Sequence, residues 1–505
     1  MTRMLIEEAD HLRVPDDLPA ASASSEASRR PVRPMPWIQV AKNAPYFVTE
    51  AGEAWTPVGQ NDAISWVEFE GLFRRKDLPA VEAHLRWLRA NGVTCLRLMM
   101  EYAQVRHRYI ERPAGRFVPA MVTLWDDLFA MCERVGLRIL LTPFDTFWMW
   151  LKWDHHPYNV RNGGPLRHPS ESLLCGGTRE AIKARFTFAV ERWGGSGALF
   201  AWDLWNEIHP AQAGDTADCF GEFIHDLSLH VRELERRLYG RSHPQTVSLF
   251  GPELWWRPHL PLKEPIFRHP DLDFASIHIY REGTIDAPRN TVDPAISMGE
   301  IVRGALAEIE DRRPFLDTEH GPIHTFKDKK RTLPAAFDDE YFRHMQWAHL
   351  ASGGAGGGMR WPNRTPHTLT AGMREAQGAL SAFLPLVDWA SFRRRNVSEE
   401  IGGLPPSVAG FGCADERQAL VWLLRKDTLS ARGKPGERGR LDPNAAPIST
   451  MLRVPGMEGR RYKVTAFDTN RGEVVASLEA EARGGDLTFE TPPFVTDLAL
   501  AIRPA

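Results

Sequence analysis

Along the chain, short apolar runs alternate with longer stretches in which apolar positions recur every three or four residues. The short runs read as strands: "AWTPVGQND" (54–62), "NGVTCLRLMMEY" (91–102), "GLRILLTPFD" (136–145), "GALFAWDLWNE" (197–207), "QTVSLFG" (245–251), "LDFASIHIY" (272–280), "RPFLDTEHG" (313–321) and "GGGMRWPNR" (356–364). The longer ones read as helices. "DLPAVEAHLRWLRANG" stops at Asn91-Gly92, "VTLWDDLFAMCERVG" at Gly136 and "TREAIKARFTFAVERWGG" at a glycine pair, all normal helix ends. "FGEFIHDLSLHVRELERRL", "PAISMGEIVRGALAEIEDR", "DDEYFRHMQWAHLASGG" and "AGMREAQGALSAFLPLVD" continue the series, and the Pro-rich connection 251–271 alone has no clear helix.

Strand–helix alternation of this kind implies parallel strands joined by crossover helices. Eight repeats predict an α/β fold, a (β/α)8 TIM barrel over residues 41–391. An open, doubly wound sheet would want a Gly-rich phosphate turn after an early strand. The one Gly-rich run, "GGAGGG" (353–358), precedes a strand instead of following it. After Trp389 the texture changes to short alternating runs separated by Gly, Asn and Asp, such as "RRYKVTAFDTNRGEVV" and "TDLALAIRP". These predict a C-terminal antiparallel β-sandwich domain over 392–505. Residues 1–40, which contain "AASASSEASRRPVRPM", read as a flexible leader.

Composition narrows the function classes. The chain has 505 residues, 43% hydrophobic and 25% charged, with a formal net charge of −3. That balance offers no basic surface for nucleic acid, and no run is long and apolar enough for membrane insertion. The five cysteines are scattered without a CxxC pair, which predicts reduced thiols and neither a disulfide framework nor a zinc site. The acidic N-terminus lacks a signal-peptide core, so a cytoplasmic protein is expected. Tryptophan is the outlier, with 17 against 8 tyrosines. Because a buried indole N–H needs a partner, this usage leans toward a ligand with flat apolar faces, such as a sugar ring.

In a barrel of this kind the side chains at the C-terminal strand ends share one mouth. Strand two ends near Arg97 and Glu101, and strand three at Asp145, with Trp148, Trp150, Trp153, His155 and His156 in its loop. Strand four ends at Asn206-Glu207, strand six at His278 and Tyr280, strand seven at Glu319-His320 and strand eight at Arg360-Trp361. A carboxylate closing a run as apolar as Phe200, Trp202, Leu204 and Trp205 is costly unless it is paired, solvated or used. Either glutamate alone reads as an ion-paired rim residue. Two at one mouth, with Arg97, His278, Tyr280 and Trp361, can cleave a glycosidic bond, one carboxyl donating a proton and the other attacking.

The runs "LFAWDLWNE" and "PFLDTEHG" resemble the acid/base and nucleophile strands of retaining glycoside hydrolases of clan A, the superfamily that includes family 5. "CLRLMM", "IHIY" and "GGMRW" match in order, so the resemblance spans most of 45–390. It implies that Glu207 is the general acid/base, Glu319 the nucleophile and Asn206 the partner of the sugar 2-hydroxyl. It also implies that Tyr280 and Arg97 hold Glu319 ionised, that Trp361 is a platform beneath the sugar, and that His278 is a further mouth residue. No metal and no cofactor is expected. The partner would be a carbohydrate, with a β-linked, gluco- or manno-configured saccharide favoured.

Trp148 and Trp153, with His156 beside them, are candidate sugar contacts because they follow strand three. Trp150 and the pair Trp255-Trp256 are further candidates, and packing against the barrel rim is the competing reading for all of these tryptophans. Two rival functions compete with this reading. A metal-dependent barrel hydrolase would want a His pair on the first strand, which "VGQND" lacks, despite His155, His156, His278, His320 and His324 elsewhere. A catalytically inactive carbohydrate-binding barrel is the alternative. The C-terminal domain has no obvious row of surface aromatics, which favours a structural role.

Overall fold

The computed structural model describes residues 35–101, 108–309, 313–322, 332–430 and 438–505. Eight parallel strands form a barrel: β1 (Gly59–Asp62), β2 (Cys95–Met99), β3 (Arg138–Thr142), β4 (Leu199–Asp203), β5 (Gln245–Thr246 and Ser248–Phe250), β6 (Ala275–Ile279), β7 (Phe315–His320) and β8 (Met359–Arg360). The break in β5 at Val247 closes the ring. Its first half pairs with β4 (Trp202 to Gln245), and its second half pairs with β6 (Ile277 to Leu249). β1 and β8 complete the circle through Gln60 and Arg360. Gly59 is required where β1 meets β2, because a Cβ there would lie 1.7 Å from the Cys95 carbonyl oxygen.

Around the ring run α1 (Leu78–Ala90), α2 (Pro119–Val135), α3 (Gly176–Trp193), α4 (Phe220–Tyr239), α5 (Asp293–Glu308), α6 (Ala335–Ala351) and α7 (Ala371–Phe383). α2 and α4 end on Gly136 and Gly240 in the left-handed region, the first of them a stop expected from the sequence. The connection after β5 holds only the single turn Glu253–Trp256 and the wide turn Glu264–Arg268, matching its proline content.

Two expectations need correction. The run 54–62 is not one strand: Pro57 divides it into Ala54–Trp55, which pairs with Phe47–Thr49, and β1. The leader expected over 1–40 lies outside the described residues up to 34, but its end is not leader. Ile38–Val40 pairs with Phe47–Thr49, and both Trp37 and Ile38 are buried. Phe47 packs edge-on against Phe200 and Phe274, so this small sheet floors the N-terminal end of the barrel.

The C-terminal domain is one eight-stranded antiparallel sheet whose edge strands are Arg395–Asn396 and Met451–Pro455, with Asp497–Pro504 in its middle. Its ends approach each other through a bridge between Gly402 and Arg453, enclosing a core of Val421, Leu423, Leu452, Val454, Leu487 and Leu500. The opposite face carries Phe411, Trp422 and Phe467 into the barrel's own hydrophobic cluster. Arg343 of α6 is paired with Asp497 at 2.6 Å, and Trp422 donates its indole N–H to the same carboxylate at 3.0 Å. Apolar burial on this scale, sealed by a buried ion pair, joins the sheet firmly to the barrel flank. Among the described residues, no helix is long and apolar enough to cross a membrane.

Candidate active site

The pleat of β4 explains the paradox of its sequence. Trp202 points outward and donates to Glu235 of α4 at 2.9 Å, while Trp205 donates to Thr146 and stacks on Phe144. The alternate residue Asp203 points inward. Beyond Asp203 the backbone stays paired to both neighbours: Leu204 N–H bonds the Thr246 carbonyl, Asn206 N–H that of Phe144 and Ile208 N–H that of Ser248. Glu207 adopts φ of +52°, a left-handed conformation uncommon for a residue with a Cβ. The surrounding pairing holds that strain, which turns the carboxyl into the mouth.

Arg97 of β2, fully buried, is the hub. Its guanidinium reaches Asp203 at 2.7 Å, Asn61 at 2.8 Å and Glu319 at 3.3 Å, and it also donates to Asn206. Asn206 in turn donates to Asp145, and Ser248 donates to Asp203 while accepting from the Glu207 N–H. His278 Nδ1 lies 2.8 Å from Glu207 and 3.6 Å from Glu319, and the Tyr280 hydroxyl donates to Glu319 at 2.7 Å. The nearest oxygens of the two glutamates and His278 Nδ1 all lie within 4.8 Å of one another.

β7 contributes its own device. Ile277 pairs with Asp317 and His278 with Glu319, so Thr318 is an extra residue, a bulge that re-aims Glu319. The buried Asp317 accepts from the N–H groups of both Glu319 and Ile279, and its other oxygen bonds His320 Nδ1 at 2.7 Å.

These surroundings set the charges. Desolvation raises the Glu207 carboxyl to about 7, against the nearby charge of Arg97. Glu319 is also raised by desolvation and by Glu207, while His278, Arg97 and the Tyr280 hydrogen bond pull it down. Burial lowers His278 to about 4, so its imidazole is neutral, with Nδ1 in hydrogen-bond contact with Glu207. The arrangement therefore holds one carboxyl that retains a proton near neutrality and a second, also raised by burial, that Arg97 and the Tyr280 hydroxyl pull back toward the anion.

Glu207, Glu319, Arg97, Asn206, His278 and Tyr280 are thus brought together. Trp361 and Trp148 stand at the same end of the barrel, Trp361 edge-on to Trp66 at 5.2 Å in a cluster with Ala63 and Met99 against which Trp148 packs. His156 and Trp153 are placed elsewhere. His156 is buried, with Nε2 on Glu101 and Nδ1 accepting from the Tyr158 N–H, and Trp153 stacks on its ring. Glu101 is itself paired with Arg185 of α3, so His156 belongs to a buried ionic network behind the wall and both of its ring nitrogens are engaged. Asn61, Asp203 and Ser248 belong to the site but escape a reading of strand ends alone.

Two groups of side chains among the described residues have metal-ligating atoms within 4.8 Å of one another. One is Glu207, His278 and Glu319, where Arg97 already supplies the positive charge. The other, Asp62, Glu68 and His84, lies outside the barrel wall beside Arg374, whose charge opposes a cation.

No protein-family model and no curated protein sequence matches the chain. Solved structures do match. A glycoside hydrolase family 5 protein from Bacteroides vulgatus ATCC 8482 superposes with a TM-score of 0.57 at 11% identity, covering 93% of this chain and 94% of that one. A second structure, described as a glycoside hydrolase, gives a TM-score of 0.56 at 12% identity over 93% of this chain and 97% of that one. The chain thus shares its fold with these proteins over 93% of its length.

Proposed function

We propose that this protein is a retaining glycoside hydrolase acting on the β-glycosidic bonds of an oligo- or polysaccharide. The observation that carries the reading is the separation of Glu207 and Glu319, whose nearest oxygens lie within 4.8 Å. Direct attack on the anomeric carbon calls for carboxyls ~5–5.5 Å apart, whereas inversion needs ~6.5–9.5 Å to admit a water. The shared architecture with glycoside hydrolase structures supports the same class.

In this mechanism Glu319, held ionised by Arg97 and Tyr280, attacks the anomeric carbon as Glu207 protonates the departing oxygen. The C–O bond to the leaving group breaks, and a glycosyl ester forms on Glu319. Esterification of Glu319 then removes that carboxylate charge from beside Glu207, a change that favours ionisation of Glu207. Glu207 takes a proton from water, whose oxygen attacks the anomeric carbon; the bond from that carbon to Glu319 breaks, and both groups are restored. Asn206, oriented between Arg97 and Asp145, is placed to hold the sugar 2-hydroxyl, with Trp361 beneath the ring. A β-linked, gluco- or manno-configured saccharide is the preferred substrate class.

The test is hydrolysis of a panel of aryl β-glycosides and β-linked oligosaccharides by the wild type and by Glu319→Ala with azide. Rescue of the variant as a glycosyl azide of inverted configuration is expected. Saccharide binding without turnover by the wild type would replace this reading with that of an inactive carbohydrate-binding barrel.

A further inference from the structure

The turn after β5 carries two adjacent tryptophans that the proposed chemistry leaves unused. Trp255 and Trp256 are 45% and 56% exposed. Their exposure is built in. The turn Glu253–Trp256 buries Glu253, whose carboxylate reaches His209 at 3.2 Å and Arg257 at 3.1 Å. His209 is two residues past Glu207, so the turn is fastened to the loop that carries the candidate acid. With Glu253 anchored inward, Trp255 and Trp256 face out. Trp255 lies over Gly251, where a Cβ would come within 3.2 Å of the indole ring.

The patch is continuous with the active site. Trp256 packs on Phe250 at 5.8 Å between ring centroids, Phe250 packs on Tyr280 at 5.7 Å, and Tyr280 bonds Glu319. Trp66, Trp148 and Trp361 follow β1, β3 and β8, so Trp66 and the Trp255-Trp256 pair stand on opposite sides of the ring, with the two glutamates between them. Flat, rigid rings with an N–H at the edge suit the apolar face and hydroxyl rim of a pyranose.

Resting on the hydrolase reading, we infer that Trp255 and Trp256 form a stacking platform for a sugar on the leaving-group side of the scissile bond. The loop tied to this turn carries Glu207, the group that protonates the leaving oxygen, which fixes the side. The substrate therefore extends past the cleaved bond by at least one further sugar ring.

The test compares the wild type, Trp255→Ala/Trp256→Ala and the control Trp87→Ala, which removes a similarly exposed indole (47%) from α1. Substrates are β-glucosyl and β-mannosyl fluorides, whose leaving group has no ring, and β-1,4-linked gluco- and manno-oligosaccharides. In the double variant the ratio of kcat/KM on oligosaccharide to that on fluoride should fall about tenfold, with the control unchanged. An unaltered ratio in the double variant overturns the platform. If the wild type cleaves neither substrate, the hydrolase reading has failed, and the platform is judged by oligosaccharide binding followed through tryptophan fluorescence. A Kd weakened about tenfold in the double variant upholds it, whereas equal affinity, or no saccharide binding at all, overturns it.

Discussion

Replacing Glu207 by glutamine should destroy the acid and make the protein more stable, but only at high pH. In the fold this carboxyl is raised to about 7 from an ordinary 4.5 because its site is desolvated. The sign follows from linkage. A group with a raised folded-state pKa contributes stability that is fully present below the unfolded value and is lost as pH rises through the folded value. Ionised Glu207 therefore weakens the fold by at most about 3 kcal/mol above pH ~7. The figure is an upper bound, since 16% of the side chain remains open at the mouth. Glutamine keeps the shape of the protonated acid and, with both a donor and an acceptor, can still bond His278 Nδ1. The perturbation thus removes the charge and little else, and it leaves the φ of +52° unchanged. Urea unfolding of wild type and Glu207→Gln at matched pH cancels the titration of every other group. The stability difference should be near zero at about pH 4 and grow to between 1 and about 3 kcal/mol at about pH 8. A variant no more stable than the wild type at the higher pH, or a difference that ignores pH, would refute the claim that this site holds Glu207 protonated.

The same charges shape the rate profile. kcat/KM should fall above pH about 7 as Glu207 ionises, and on the acid side as Glu319 gains a proton. Tyr280→Phe removes a hydrogen bond that lowers Glu319, so the acid limb should move about one pH unit upward while the alkaline limb stays in place. Arg97→Met should cost about 3–5 kcal/mol in urea unfolding, because Asp203 would be left as a fully buried carboxylate without its cation.

How much of this is legible in the sequence follows from the physics of each element. Strand ends are readable because apolar runs stop where a polar residue is placed, and "LWNE" and "DTEH" stop on the two glutamates. The partners of Arg97 are harder to see, because Asn61 and Asp203 lie before the ends of the runs "AWTPVGQND" and "GALFAWDLWNE", where a polar residue reads as an ordinary interruption of the alternation. His156 misleads because proximity along a loop says nothing of which side of the wall the loop folds onto. One signal did exist: Arg185 shares the buried stripe of α3 with Ile182, Phe186 and Ala189, and a buried guanidinium demands carboxylates. Glu101 and Glu111 meet that demand, and His156 joins them.

The bulge in β7 could not be read at all, yet it decides how Glu319 works. In a regular strand, Asp317 and Glu319 would point the same way, and two carboxylates would crowd the space that Arg97 serves. Inserting Thr318 as an extra residue separates them. Asp317 then turns its oxygens to the backbone N–H groups of Ile279 and Glu319 and to His320, while Glu319 alone faces Arg97 and Tyr280. Arg97 also pairs with Asp203 but makes no ion pair with Glu207. One buried cation thus acts on two glutamates a few ångströms apart: it touches Glu319, which the Tyr280 hydroxyl also bonds, whereas at Glu207 its charge is outweighed by desolvation and the proton is kept.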